Sequence, residues 1–170
     1  YDASAYQTPS EEYPLTQYFN QELIQFSIED CRRSIPNLFD GLKVSHRKIL
    51  YSVFKKNLVP SGKSMKVAQL AGYCAEHSNY HHGEQCLHDT IIKMTHNFAG
   101  SNNVPFLARD GQFGSRAYGG KDAANGRYIF TKLAPLTRLL FPAADDHLLH
   151  YTLDDGDRVE PDFYVPIVPT

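Results

Sequence analysis

At 170 residues the chain has material for one well-buried core and at most a partial second unit. A formal net charge of −2 excludes a uniformly basic nucleic-acid coat. Three cysteines without a C-x-x-C pair exclude a disulfide-stapled scaffold, and no apolar run approaches the ~20 residues of a membrane span, so the chain reads as soluble and intracellular.

The first fourteen residues are polar, contain Pro9 and Pro14, and read as an irregular lead-in. From Leu15 to about Cys31, Phe19, Leu23, Ile24 and Phe26 recur at helical spacing, ending before Ser34-Ile35-Pro36. Residues 31–66 then carry nine Lys or Arg (32, 33, 43, 47, 48, 55, 56, 63 and 66) against Asp40 alone. Six acids and no Lys or Arg precede them in residues 1–30, and residues 145–162 set seven acids against Arg158. Such segregation predicts one basic face for phosphate and acidic ends that point elsewhere; a solvated charged helix face is the plainer explanation.

A second helix is predicted over Lys43–Asn57, with Ile49, Leu50, Val53 and Phe54 inward and Arg47, Lys48, Lys55 and Lys56 reaching solvent or a polyanion. Pro60-Ser61-Gly62 breaks the chain, and Met65 to about His77 reads as a short helix with small residues Ala68, Ala71 and Gly72. Gly83–Phe98 is the clearest amphipathic helix, with Leu87, Ile91, Met94 and Phe98 on one face. Its N-terminal amides stand beside His81 and His82, a setting that suits a phosphate. Glycines and turn signals from Val104 to Ile129 predict a hairpin wing, and Thr131–Phe141 reads as a return to helix with Pro135 in its first turn. Three helices followed by a glycine-rich hairpin make an α+β, mainly α, winged-helix pattern, in which a helix enters the major groove and the wing touches backbone.

The residues that carry chemistry are Arg127 and Tyr128. A phenol, with a pKa near ~10, attacks a phosphodiester only if a base takes its proton and cations meet the phosphoryl oxygens. Arg127 and the paired histidines are the groups for that work. By itself the pair says little, since the chain has eleven tyrosines and most tyrosines are packed amphipathic residues. Gly62-Lys63-Ser64 resembles the end of a P-loop, but Asn57 occupies the position of its first glycine, so it is rejected as an ATP site. Cys74, His77, His81, His82, Cys86 and His88 crowd together, yet their spacing matches no standard zinc finger, so no metal ligand is assigned.

Several longer motifs occur in order: Arg32-Arg33-Ser34-Ile35-Pro36 through Asp40-Gly41-Leu42-Lys43, Arg47-Lys48-Ile49-Leu50-Tyr51, Lys66-Val67-Ala68-Gln69-Leu70-Ala71-Gly72, Tyr80-His81-His82-Gly83-Glu84-Gln85, Gly100-Ser101-Asn102-Asn103, Gly111-Gln112-Phe113-Gly114-Ser115-Arg116, and Gly119-Gly120-Lys121-Asp122-Ala123-Ala124 followed by Arg127-Tyr128-Ile129-Phe130-Thr131. From about Tyr18 to its end the chain resembles the DNA-cleavage core of eukaryotic-type type IIA DNA topoisomerases, cellular or of large DNA viruses. The resemblance implies a piece of a much longer enzyme: a lead-in helix from a preceding domain over 1–30, a catabolite-activator-like winged-helix domain over 31–144, and the start of a tower domain over 145–170. It implies that Tyr128 forms a transient 5′-phosphotyrosyl bond in double-stranded DNA, that Arg127 stabilises the transition-state charge, and that His82 assists the tyrosine as general base or as hydrogen-bond donor. It also implies that Arg47 helps hold the phosphate backbone; Lys48, Lys55, Lys56, Lys66, His81 and Gln85 are further, weaker candidates for DNA contact. Ser101 and Asn102 serve equally well as contacts or turn formers. Magnesium and ATP are implied for the whole enzyme, both bound by domains outside this chain, as is a homodimer whose partner subunit completes the site. Localisation is implied to be nuclear in a cell, and host cytoplasm or nucleus for a virus.

The chain departs from the familiar family pattern at Val44-Ser45-His46, where Pro-Gly-Gln is common, and at Asn125-Gly126, in place of Ser-Pro. Gly126 is expected to loosen the loop presenting Tyr128, because glycine adds backbone freedom where proline restricts it. The alternative to a cleavage domain is a winged-helix DNA-binding module with no chemistry of its own.

Overall fold

The computed structural model describes residues 12–170. Most of the expected lead-in, residues 1–11, lies outside them. The chain enters through α1 (Leu15–Gln17), widens into a π-helical stretch (Tyr18–Leu23), and tightens into α2 (Ile24–Ser34). The Ile24 N–H reaching back to the Phe19 carbonyl marks the wide turn. Helix α2 stops where Ile35 turns extended, as the residue before Pro36 must.

Helices α3 (Val44–Lys55), α4 (Val67–His77) and α5 (Glu84–Met94) pack on one another and form the core. Each presents apolar residues three and four apart: Ile49, Leu50 and Val53; Val67, Leu70 and Cys74; Leu87 and Ile91, all buried. Truncating any of the aliphatic ones to alanine costs ~2–5 kcal/mol.

Three strands, β1 (Met65–Lys66), β2 (Leu107–Asp110) and β3 (Phe130–Leu133), form an antiparallel sheet in the order β1-β3-β2. Its register sets Lys66 opposite Phe130 and Asp110 also opposite Phe130, across the other edge. This corrects two expectations. Met65 and Lys66 are strand, so the helix starts at Val67. Thr131–Phe141 is not one helix: Phe130–Leu133 is the central strand, and only Thr137–Leu140 forms a helix, α6. Thr131 and Leu133 alternate inward with period two, and Pro135 cannot supply an interior helical N–H. The expected hairpin pairs β2 with β3, but residues 111–129 between them form a long irregular excursion.

A further correction concerns the basic segment. Arg47 and Lys48 do not reach solvent: they are 5% and 9% exposed. Arg47 donates from Nε and Nη2 to the two carboxylate oxygens of Asp40, at 2.8 and 2.9 Å. Asp40 also accepts the backbone N–H groups of Leu42 and Tyr164. Lys48 donates to Glu160 at 2.7 Å and to the Ser78 carbonyl. Helix periodicity put both cations outward because it counts only the helix's own faces; Asp40, just before α3, and Glu160, in the chain's acidic end, supply the partners that let them be buried.

That end is a hairpin of β4 (Tyr151–Asp154) and β5 (Asp157–Pro161) packed on α3. Asp155 and Gly156, both at positive φ, make its two-residue turn. Glu160 and the Arg158 carbonyl, which accepts the Tyr51 hydroxyl, tie it to the helix.

Candidate active site

Arg127 and Tyr128 stand in a turn immediately before β3. Three backbone bonds hold it: the Tyr128 N–H donates to the Asn125 carbonyl, the Ala68 N–H to the Gly126 carbonyl, and the Val67 N–H to the Ile129 carbonyl. The Asn125 side chain accepts the Arg127 N–H at 3.0 Å. Two of these donors are first-turn amides of α4, which a helix leaves without internal partners. Ile129 is buried while Tyr128 is 77% exposed, so the anchoring residue and the reactive one alternate across the turn.

Upstream, residues 111–124 are stapled by Asp122. Its carboxylate accepts the Ser115 N–H at 2.8 Å and the Gln112 side-chain amide at 3.0 Å, and the Ser115 bond holds the acid below its ordinary range. Gly114 and Gly120 cross so closely that a Cβ on Gly114 would stand 2.5 Å from the Gly120 carbonyl oxygen. The expectation that Gly126 loosens the loop is corrected. Gly126 is buried, its carbonyl is bonded, and a Cβ there would meet His88 and Val67 at 3.2 Å.

Two grooves hold other sequence-expected site residues. One, of about 1060 Å³, brings Gln85, Ser101 and Asn102 together with Lys93, Arg116, Lys121 and the Asn125-Gly126 turn. The other, of about 490 Å³, places His82 with Arg32, Arg33, Val44, Lys48 and the end hairpin. His81 and His82 are exposed just ahead of α5, whose N-cap, Gly83, provides no side chain to the helix amides. The Tyr80 ring meets the His82 imidazole edge-on at 5.3 Å. The exposed start of α5 beside these imidazoles is a setting for an anion, but the groove around His82 is also lined by Glu29, Asp30, Asp154 and Glu160, and Arg33 donates to Asp30 at 2.9 and 2.8 Å.

Among families of known proteins, the one comprising the A-type subunit of DNA gyrase/topoisomerase IV matches residues 33–170. The chain belongs to this family. It is 54% identical over 164 residues to DNA topoisomerase 2-beta of Gallus gallus, covering 96% of this chain and 10% of that protein. To the mitochondrial DNA topoisomerase 2 of Dictyostelium discoideum it is 53% identical over 152 residues, 89% of this chain and 12% of that protein. Among solved structures it is similar to the Plasmodium falciparum topoisomerase II DNA-binding, cleavage and re-ligation domain, with a TM-score of 0.84 and 54% identity over 91% of this chain and 21% of that one. The chain therefore spans about a tenth of the length of these curated relatives.

In this topoisomerase-family chain the sequence-expected residues separate into groups. Tyr128, Arg127, His81, His82, Gln85 and Lys66 are exposed, with Lys66 Nζ over the Phe130 ring at 5.9 Å. Ser101 and Asn102 have structural partners: Ser101 Oγ bonds His96 Nδ1 at 2.8 Å, and the Asn102 amide donates to the Lys93 and His96 carbonyls at the end of α5. Lys56 lies over the Tyr73 ring at 4.7 Å. Lys55 lies over Tyr51 and lines a cleft with Glu76, Asp146 and Asp157. Sequence reasoning passes over Arg32 and Arg33 as site residues although it counts them in a motif. Tertiary packing sets the end of α2 in one groove with His82, where Arg33 is paired with Asp30.

Proposed function

We propose that this chain is the DNA-binding and cleavage segment of a type II DNA topoisomerase, that its α3–α5 and β1–β3 elements are a winged-helix module, and that Tyr128 is the nucleophile. The observation that carries this reading is the turn at 125–128, which sets a guanidinium and a protruding phenol side by side on backbone clamped between α4 and β3. The Tyr128 hydroxyl oxygen bonds to phosphorus as the bond from phosphorus to the 3′ oxygen breaks. The phenolic proton passes to a base, the 3′ oxygen takes up a proton, and the 5′ phosphate remains on the tyrosine as an ester. Because the ester replaces one phosphodiester bond with another, reversal needs no high-energy cofactor.

On this reading Arg127 meets the charge that builds on the phosphoryl oxygens, and His82 assists by taking or donating a hydrogen bond. Lys66, His81 and Gln85 contact the backbone of double-stranded DNA. Among the described residues no three His, Cys, Asp or Glu side chains gather to hold a metal ion. The magnesium ligands and the ATP site belong, in the proposed enzyme, to other domains of a homodimer, and residues 145–170 begin an adjoining tower domain. On the same reading the site of action is the nucleus of a cell, or host cytoplasm or nucleus for a viral enzyme, although the Dictyostelium discoideum relative is named as mitochondrial.

The test uses the complete polypeptide with magnesium and end-labelled duplex, quenched with detergent, and maps protein-linked label by peptide mass spectrometry. A 5′-linked adduct on Tyr128, lost in Tyr128→Phe with DNA binding kept, is the expected result. Capture persisting in that variant removes Tyr128 from the mechanism; no adduct from a protein that binds DNA favours a noncatalytic module.

A further inference from the structure

We propose that His88 is a positioning residue for the Arg127–Tyr128 pair, its imidazole serving as the floor on which the Asn125-Gly126 turn rests. The inference rests on the cleavage reading above but on different atoms. His88 lies on α5, one turn after Glu84, and is 6% exposed. Its Nε2 is buried without a hydrogen-bond partner, standing 3.3 Å from Glu84 Oε1 but not aligned for a bond. A purely space-filling role is met better by an aliphatic side chain, which leaves no polar nitrogen unsatisfied.

The other edge of the ring explains the choice of residue. A Cβ built on Gly126 would stand 3.2 Å from His88 Nδ1 and 3.3 Å from its Cγ, tighter than ordinary contact. Gly126 is not among the glycines at positive φ, so backbone conformation does not demand glycine there, and the imidazole and Val67 stand close enough to require a small residue. With the Gly126 carbonyl held by the Ala68 N–H, the turn is gripped by α4 and floored by α5. Removing the floor frees the turn to sink; adding a methyl group lifts it. Either displacement moves Arg127 and Tyr128 relative to the two histidines at the start of α5, and one imidazole thereby links the motif that holds His82 to the motif that holds Tyr128.

The experiment is a double-mutant cycle in the complete enzyme. Single-turnover DNA cleavage at saturating duplex, duplex affinity, and amide exchange at Ala68 are measured for His88→Ala, Gly126→Ala and the double variant. Each single change is expected to slow cleavage by about ten- to a hundredfold with affinity unchanged, the loss that a misplacement of an ångström produces. His88→Ala should speed exchange at Ala68, and the double variant should recover at least part of the rate, since the added methyl occupies the space the ring vacates. Wild-type cleavage in His88→Ala, losses that simply multiply in the double variant, or a loss expressed only as weaker binding overturns the proposal. His88→Asn, which keeps a polar group at lower volume, guards against misfolding of the alanine variant and should give an intermediate rate. Capture persisting in Tyr128→Phe sinks the cleavage reading instead, and exchange at Ala68 still decides the role of His88.

Discussion

The Ala68 N–H donates to the Gly126 carbonyl at 3.1 Å, which makes the first turn of α4 and the turn bearing Arg127 and Tyr128 one backbone framework. Helix-start amides are ordinarily left to water or to a capping side chain. Here Val67 and Ala68 use theirs to anchor the reactive segment. Both amides should therefore exchange with solvent as slowly as the core of α4, although they begin a helix. Fast exchange at Val67 and Ala68, read by NMR, contradicts the clamp.

Asp40 is fully buried and accepts from Arg47, Leu42 and Tyr164, so it joins the start of α3 to the chain's far end. Asp40→Ala leaves a buried guanidinium unpaired and should cost ~3–5 kcal/mol in urea unfolding. A loss below ~1 kcal/mol shows that water reaches the pair and that it resembles a surface ion pair.

Lys66 and Lys55 look equivalent by sequence but stand in different fields. Lys66 is exposed on the edge of the sheet beside Phe130, whereas Lys55 lines a cleft with Glu76, Asp146 and Asp157. Lys66→Ala should lower the slope of log K against log salt for duplex binding by ~0.9, the share of one phosphate contact. Lys55→Ala should leave that slope unchanged. Equal effects of the two variants reverse this assignment.

The Asp122 staple carries a pH dependence of definite sign. Its carboxylate is favoured in the folded chain by the Ser115 N–H, so its pKa lies below the ordinary 3.8. Its contribution is present above 3.8 and is lost as pH falls through the depressed folded value. The Ser115 amide resonance should titrate with a midpoint below 3.8 and lose that transition in Asp122→Asn. A midpoint above 3.8 means that the carboxylate is not held by these bonds.

The helical core is legible because burial follows periodicity: Ile49, Leu50 and Val53, and Leu87 and Ile91, declare their faces from spacing alone. The Tyr128 turn is legible as a position just outside regular structure, from the glycines around it. The hairpin turn at Asp155-Gly156 is also written in the sequence as a strong dipeptide signal, although the acidic charge around it draws attention first. Phe130–Leu133 passes for the start of a helix because a short apolar run fits helix or strand, and only the edges offered by Met65–Lys66 and Leu107–Asp110 decide between them.

What the sequence determined by itself was local: which residues are apolar at helical spacing, where the chain breaks, and the order of motifs that places it among topoisomerases. The tertiary structure alone decided which charges are free. Arg47 and Lys48 are spent on Asp40 and Glu160, the latter 112 residues away along the chain. Gly126 lies against His88 and accepts from the Ala68 N–H, a placement that no local pattern contains. Electrostatic partners and steric floors are fixed by distance in space, and a linear text records distance only along the chain.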